Sequence, residues 1–297
     1  MTLRLGTRGS ALALAQARLV ADRLGSDVEI VTVRTSGDRD PAAPRGDKAR
    51  FVKELEDALL HERVDIAVHS AKDVPAELPD GLAIAGVPER ADARDAVCGA
   101  GSLEALGEGA AIGTSSLRRR AQLLALRPDL EVLELRGNVD TRLGRLAEGA
   151  YDALVLAAAG LARLERSAEG TPIDASELTP APGQGALALE ARAEDDRARE
   201  AAESLTDRDS LVRLTAERAL VAELEASCRT PVAAYAELAD GRLRLSAFAG
   251  LPDGSHWIRD GLESDAAQPG ELGREVAARM LAAGARELLA AAERADA

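Results

Sequence analysis

Apolar residues from Leu3 to Thr7 follow strand spacing, and the pattern then turns helical. Leu12, Ala15, Leu19 and Val20 share one face of a segment that Ser10 is placed to cap. Val28 to Arg34 reads as a second strand. A polar stretch from Thr35 to Asp47, containing Pro and Gly, reads as a mobile lid, and it leads into a helix with Phe51, Leu55 and Leu59 on one stripe. Val64 to His69 is a β-rich run that ends in Ser70-Ala71-Lys72-Asp73-Val74-Pro75, where proline disfavours continued regular structure. Strands Ala110 to Gly113 and Glu131 to Leu135 end the same way, in Thr114-Ser115-Ser116-Leu117-Arg118-Arg119-Arg120 and in Arg136-Gly137-Asn138-Val139-Asp140-Thr141-Arg142. Asp152 to Ala157 supplies another strand.

Later in the chain, Pro180-Ala181-Pro182-Gly183-Gln184-Gly185 delivers the apolar run Ala186 to Leu189 into a sheet, as a strand returning to the first domain. A helical pattern then runs from Ser210 to about Glu225. Strands near Val232 to Leu238 and Leu243 to Ala249 follow, with helices after Pro269, and this αββα order predicts a separate small domain.

Composition narrows the class. The chain has 297 residues, 46% hydrophobic and 2% aromatic, so its interior is packed mainly by aliphatic side chains and its length calls for two or three domains of an α/β protein. The net charge of -14 argues against general nucleic-acid binding and favours solubility. Cys98 and Cys228 make no disulfide framework, which points to a reducing compartment. Gln16, Arg18 and Asp22 interrupt the only signal-like start, and no apolar run reaches the roughly 18 residues that span a bilayer. A cytoplasmic location is expected.

Ligands of open α/β sheets gather beyond the carboxyl ends of strands, where helix N-termini offer unpaired N–H groups. Between Gly113 and Arg145, seven arginines stand against four acids, reversing the sign of an otherwise acidic chain. Arginine forks grip carboxylates in bidentate fashion, so these turns point to a small polycarboxylate. A single arginine reads more readily as solvated surface or a helix ion pair, and the isolated dipeptide Lys72-Asp73 as a cap or surface ion pair; only the repeated placement after strands favours a ligand. Asp73 among arginines would stay ionised and could stabilise positive charge developing on a substrate. Either cysteine reads as a buried inert thiol, but Arg229 next to Cys228 could favour its thiolate. Gly183-Gln184-Gly185 imitates a dinucleotide fingerprint but leads into a strand, and His61, His69 and His256 lack metal-ligand spacing.

Taken together, Thr7-Arg8-Gly9-Ser10, His69 to Pro75, Gly113 to Arg119, Leu135-Arg136-Gly137-Asn138, Gly183-Gln184-Gly185 and Cys228 occur in an order that resembles the porphobilinogen deaminase (hydroxymethylbilane synthase) family over nearly the whole chain. The resemblance implies an α/β fold of three domains. Domain 1 would comprise 1–89 and 186–204, and domain 2 would comprise 93–182. Together they would form a cleft like that of type II periplasmic binding proteins. A small α+β C-terminal domain, 208–297, would carry the cofactor cysteine.

It further implies a dipyrromethane cofactor, made from the enzyme's own substrate and held by Cys228 through a thioether, with no metal. Lys72, Asp73, Thr114, Ser115, Ser116, Arg118 and Arg119 would bind that cofactor. Arg8, Ser10, Gln16, Arg136, Arg142 and Gln184 would bind substrate, and Asp73 would be catalytic. The expected reaction deaminates porphobilinogen and joins four units head to tail into linear hydroxymethylbilane for tetrapyrrole synthesis, in a monomer needing neither nucleic acid nor membrane. The competing expectation is a non-catalytic binder of a carboxylated solute, which would require neither Asp73 in a cationic setting nor Cys228.

Overall fold

The computed structural model describes residues 2–34, 49–226 and 230–295, so the lid expected at Thr35 to Asp47 and the cysteine at 228 lie outside the described residues. By contacts the chain divides into two compact units. One is Met1–Ala91 with Gly185–Leu211, and the other is Asp92–Gln184 with Val212–Ala297.

In the first unit, β1 (Leu3–Thr7), α1 (Ala11–Leu24), β2 (Val28–Thr32), α2 (Ala49–Leu60), β3 (Ile66–Ser70) and β4 (Leu82–Gly86) precede β10 (Leu187–Arg192) and α6 (Asp196–Glu203). Their sheet has the order β2-β1-β3-β10-β4. β1 is parallel to β2 and β3, whereas β10 runs antiparallel between β3 and β4. Leu5, Ile66, Val68 and Leu189 pack with Ala17 and Val20 of α1, while Ala67 on the other face packs with Leu55 and Leu59 of α2. Helices on both faces explain why these strands read as nearly continuous apolar runs. A Cβ on Gly86 would stand 2.2 Å from the Ala202 carbonyl oxygen, so only glycine lets α6 pack this closely on β4.

The second unit repeats the plan with β5 (Asp95–Cys98), β6 (Ala111–Gly113), α3 (Leu117–Leu126), β7 (Glu131–Leu133), α4 (Val139–Ala147), β8 (Ala153–Ala157), α5 (Ala158–Arg163) and β9 (Thr171–Pro172). The order is β7-β6-β8-β5-β9, with β6 parallel to β7 and β8 and with β5 antiparallel to β8. In both sheets the turns carrying the candidate residues therefore leave the carboxyl ends of parallel strands.

A third sheet is built from β11 (Val232–Ala239), β12 (Arg242–Gly250) and β13 (Trp257–Asp265), all antiparallel, and α8 (Pro269–Ala282) and α9 (Ala285–Ala295) follow it. Leu245, Ala247, Val276, Met280 and Leu289 form its core together with Leu220 of α7 (Arg208–Glu223). The expected αββα order is thus corrected by one strand. β13 alternates exposed and half-buried positions and offers only Ile258 and Leu262 to this core, so the apolar signal of a strand is weak there.

Candidate active site

In the first unit, the turn after β1 is pinned by two short-range bonds. The Thr7 hydroxyl donates to the Ala13 carbonyl at 3.1 Å, and the Ser10 hydroxyl caps α1 by accepting from the Ala13 N–H at 3.3 Å. Arg8 between them is half-buried. Gln16, one turn further on, is buried and donates through Nε2 to the Ser70 hydroxyl at 3.4 Å, tying α1 to the end of β3. A single 3-10 turn, Ala71–Asp73, begins there, with the Ala71 N–H held by the Ala186 carbonyl at 3.0 Å. Lys72 and Asp73 are both half-buried on it. Beneath this turn His69 Nε2 meets Glu190 Oε2 at 2.9 Å, both side chains being buried.

Glu56 lies close to that pair, and burial, then the Glu190 charge, pushes its carboxyl above the ordinary 4.5. A raised carboxyl contributes stability that is full below the ordinary value and is lost as pH rises through the raised one. Glu56→Gln should therefore raise the melting temperature at about pH 8, with the gain closing below about pH 4.5. Thermal unfolding across that range checks it, and a pH-independent difference would contradict it.

In the second unit, the Thr114 hydroxyl accepts from the Ser116 N–H at 3.2 Å, and the Ser116 hydroxyl caps α3 by accepting from the Arg119 N–H at 3.4 Å. Arg118 and Arg119 in the first turn are buried, and Asp95, with no exposed surface, holds both. Arg118 Nη2 lies 2.7 Å from Asp95 Oδ2, and Arg119 Nη2 and Nε lie 2.7 and 3.0 Å from Oδ1. Arg118 also donates to the Thr179 carbonyl at 2.7 Å, and Arg119 to the Val155 carbonyl at 2.8 Å. Burial alone would raise the Asp95 carboxyl, but Arg118 and Arg119 outweigh it and hold it at about 2. Two guanidinium charges against one carboxylate leave a net positive charge at the N-terminus of α3, where the helix dipole adds to it.

Arg142, on α4, donates to the Gly137 carbonyl at 2.8 Å and reaches the Ser115 hydroxyl at 3.5 Å. Burial, then the charge of Arg119, lowers its guanidinium to about 10. It remains charged at neutral pH, and an anion beside it would restore its ordinary value. Asn138 caps α4 by accepting from the Thr141 N–H at 2.8 Å. Arg118, Arg119, Arg142, Ser115 and the α3 N-terminus thus form one cationic group, and its donors fit a ligand with several carboxylates.

Within the second unit, two expected substrate residues, Arg136 and Gln184, lie outside this group. Arg136 is exposed and paired with Glu134 at 2.7 Å. Gln184 is buried, and its Nε2 donates to the Ala93 carbonyl at 2.7 Å and to Asp95 Oδ1 at 2.8 Å. Its side chain is a bracket for Asp95. Asp95 and Glu190, the partner of His69, belong to none of the turn motifs that the sequence offers. The available signal was an acid inside an apolar strand, Asp95 before Ala96-Val97-Cys98 and Glu190 between Leu189 and Ala191, because a buried carboxylate needs a cationic partner.

Cys98 is fully buried, and desolvation, with Glu169 nearby, pushes its thiol up to about 11. It is therefore inert at neutral pH. Cys98→Ala should leave any covalent adduct in place, and loss of the adduct in intact-mass spectra would contradict this.

A family model described as "Porphobilinogen deaminase, dipyromethane cofactor binding domain" matches residues 3–200, and a model of the porphobilinogen deaminase C-terminal domain matches 211–282. The chain is 49% identical to the porphobilinogen deaminase of Deinococcus radiodurans, over 98% of each chain. It is 51% identical to that of Thermus thermophilus, over 96% of this chain and 97% of the relative. Among solved structures, the periplasmic aliphatic sulphonate binding protein of Escherichia coli is similar at a TM-score of 0.39 and 16% identity, over 75% of this chain and 70% of the other.

Proposed function

Because this chain belongs to the porphobilinogen deaminase family, we propose that it condenses porphobilinogen through the residues described above. Its activity is that of a transferase, hydroxymethylbilane synthase, which deaminates four porphobilinogen molecules and joins them head to tail for tetrapyrrole synthesis. It uses a dipyrromethane cofactor. When bound, that group supplies the nucleophilic pyrrole carbon to which the first substrate is joined.

On this reading Cys228 anchors the cofactor through its sulfur. Lys72, Asp73, Thr114, Ser115, Ser116, Arg118 and Arg119 hold the cofactor's acetate and propionate groups and its pyrrole nitrogens. Arg8, Ser10, Gln16, Arg136 and Arg142 receive substrate carboxylates, while Gln184 acts at one remove, through Asp95. Asp73 provides the carboxylate that stabilises positive charge on the substrate's pyrrole nitrogen as ammonia leaves, and it accepts a proton when aromaticity is restored. The reading also divides the chain into three domains, 1–89 with 186–204, 93–182 and 208–297. It further makes the protein a cytoplasmic monomer that takes a small-molecule substrate and neither nucleic acid nor membrane.

The observation that supports this most is the cationic group around Arg118, Arg119 and Arg142, since each pyrrole brings two carboxylates. The test is to supply porphobilinogen to purified protein. One ammonia released per pyrrole consumed, with a linear tetrapyrrole as product, is the expected result. Capture of porphobilinogen with no ammonia released would leave only a binding protein.

A further inference from the structure

We propose that Asp95 is a positioning residue for cofactor loading, a role that rests on the assignment of Arg118 and Arg119 to the cofactor carboxylates. Consecutive residues on a helix point about 100° apart, so Arg118 and Arg119 do not converge by helical geometry alone. Their guanidinium groups meet because one carboxylate lies between them, with Oδ2 toward Arg118 at 2.7 Å and Oδ1 toward Arg119 at 2.7 Å. Each fork has a second fixed point, the Thr179 carbonyl for Arg118 and the Val155 carbonyl for Arg119. The Gln184 amide then fixes Oδ1 itself, from the turn that precedes β10.

Five segments therefore hold two cations in one orientation: α3, β5, β8 and the stretches around Thr179 and Gln184. Each guanidinium carries five N–H donors, and the bonds to Asp95, Thr179 and Val155 engage only part of that set. The remaining donors, together with the uncancelled charge, are directed by Asp95 without Asp95 touching the ligand. A ligand with fixed carboxylate spacing depends on such alignment, because a misplacement of about 1 Å costs on the order of 100-fold.

The experiment follows covalent loading, not turnover. Full-length protein made in cells that lack porphobilinogen is incubated with sub-saturating porphobilinogen, and the gain in intact mass is followed over time. Asp95→Asn removes the charge at constant shape, and Asp95→Glu keeps the charge but displaces it by one methylene. Leu130→Ala, a truncation in the buried core of the same unit, is the control for general destabilisation. Folding of each is checked by circular dichroism and thermal unfolding.

Both Asp95 variants should load at least about tenfold more slowly than wild type, while Leu130→Ala loads at the wild-type rate. If Asp95→Asn does not fold, Asp95→Glu decides, because a purely structural carboxylate would let a folded Asp95→Glu load normally. Loading of either folded Asp95 variant at the wild-type rate overturns the inference, as does equal slowing in Leu130→Ala. If wild type itself gains no mass, the assignment of the cofactor to this chain fails and the inference falls with it, an outcome distinct from normal loading in the Asp95 variants.

Discussion

Asp73→Ala should lower turnover by about 10²–10³-fold while the protein keeps its melting temperature and most of its affinity for porphobilinogen. Asp73 is half-buried at the end of a 3-10 turn, directly after the central strand β3, and the start of that turn is held by the Ala71 N–H on the Ala186 carbonyl. Removing the Asp73 carboxylate should leave that turn intact. What disappears is a fixed negative charge beside a nitrogen that becomes cationic only as the reaction proceeds, and an interaction confined to the transition state acts on kcat more than on KM. Asp73→Asn keeps the shape without the charge and should lose nearly as much. Steady-state ammonia release measures both. Near-normal kcat in either variant would remove Asp73 from the chemistry.

Asp95→Ala should reduce the unfolding free energy by about 3–5 kcal/mol, because it strands two buried guanidinium groups beside each other. The sign of its pH dependence is fixed. Asp95 is lowered from 3.8 to about 2, so its contribution is present above the ordinary value and is lost as pH falls through the lowered one. The gap between wild type and variant should be constant above about pH 5 and should narrow below about pH 4. Denaturant midpoints at several pH values read this directly. A loss below about 1 kcal/mol would mean that solvent reaches the arginines and that the carboxylate is not their counter-charge.

Much of the architecture was legible from residue order. Each parallel strand announces itself as an apolar run that stops at a polar turn, and Ser10 and Ser116 mark helix starts through hydroxyls that accept the first free N–H groups. β13 was not legible, since its edge position leaves charged residues and Gly261 where a buried strand would show valine or isoleucine.

The candidate site divides along a similar line. Residues adjacent in sequence, such as Lys72-Asp73 and Ser115-Ser116, can be read from a motif. Asp95 meets Arg119 from 24 positions away and Gln184 from 89, and Glu190 meets His69 across β10 and β3, so only the fold reveals those partners. Gln184 shows the difference most plainly. Its sequence context suggests a ligand contact, whereas its amide is engaged inside the protein, holding the carboxylate that aligns two arginines.

The intact mass of purified wild-type protein and of Cys228→Ser tests the central claim most directly. The account requires that wild type exceed its 31.0 kDa chain by a covalent dipyrromethane and that Cys228→Ser have the mass of the bare chain and no turnover. Active wild-type protein with no added mass, or an adduct that survives in Cys228→Ser, would contradict it.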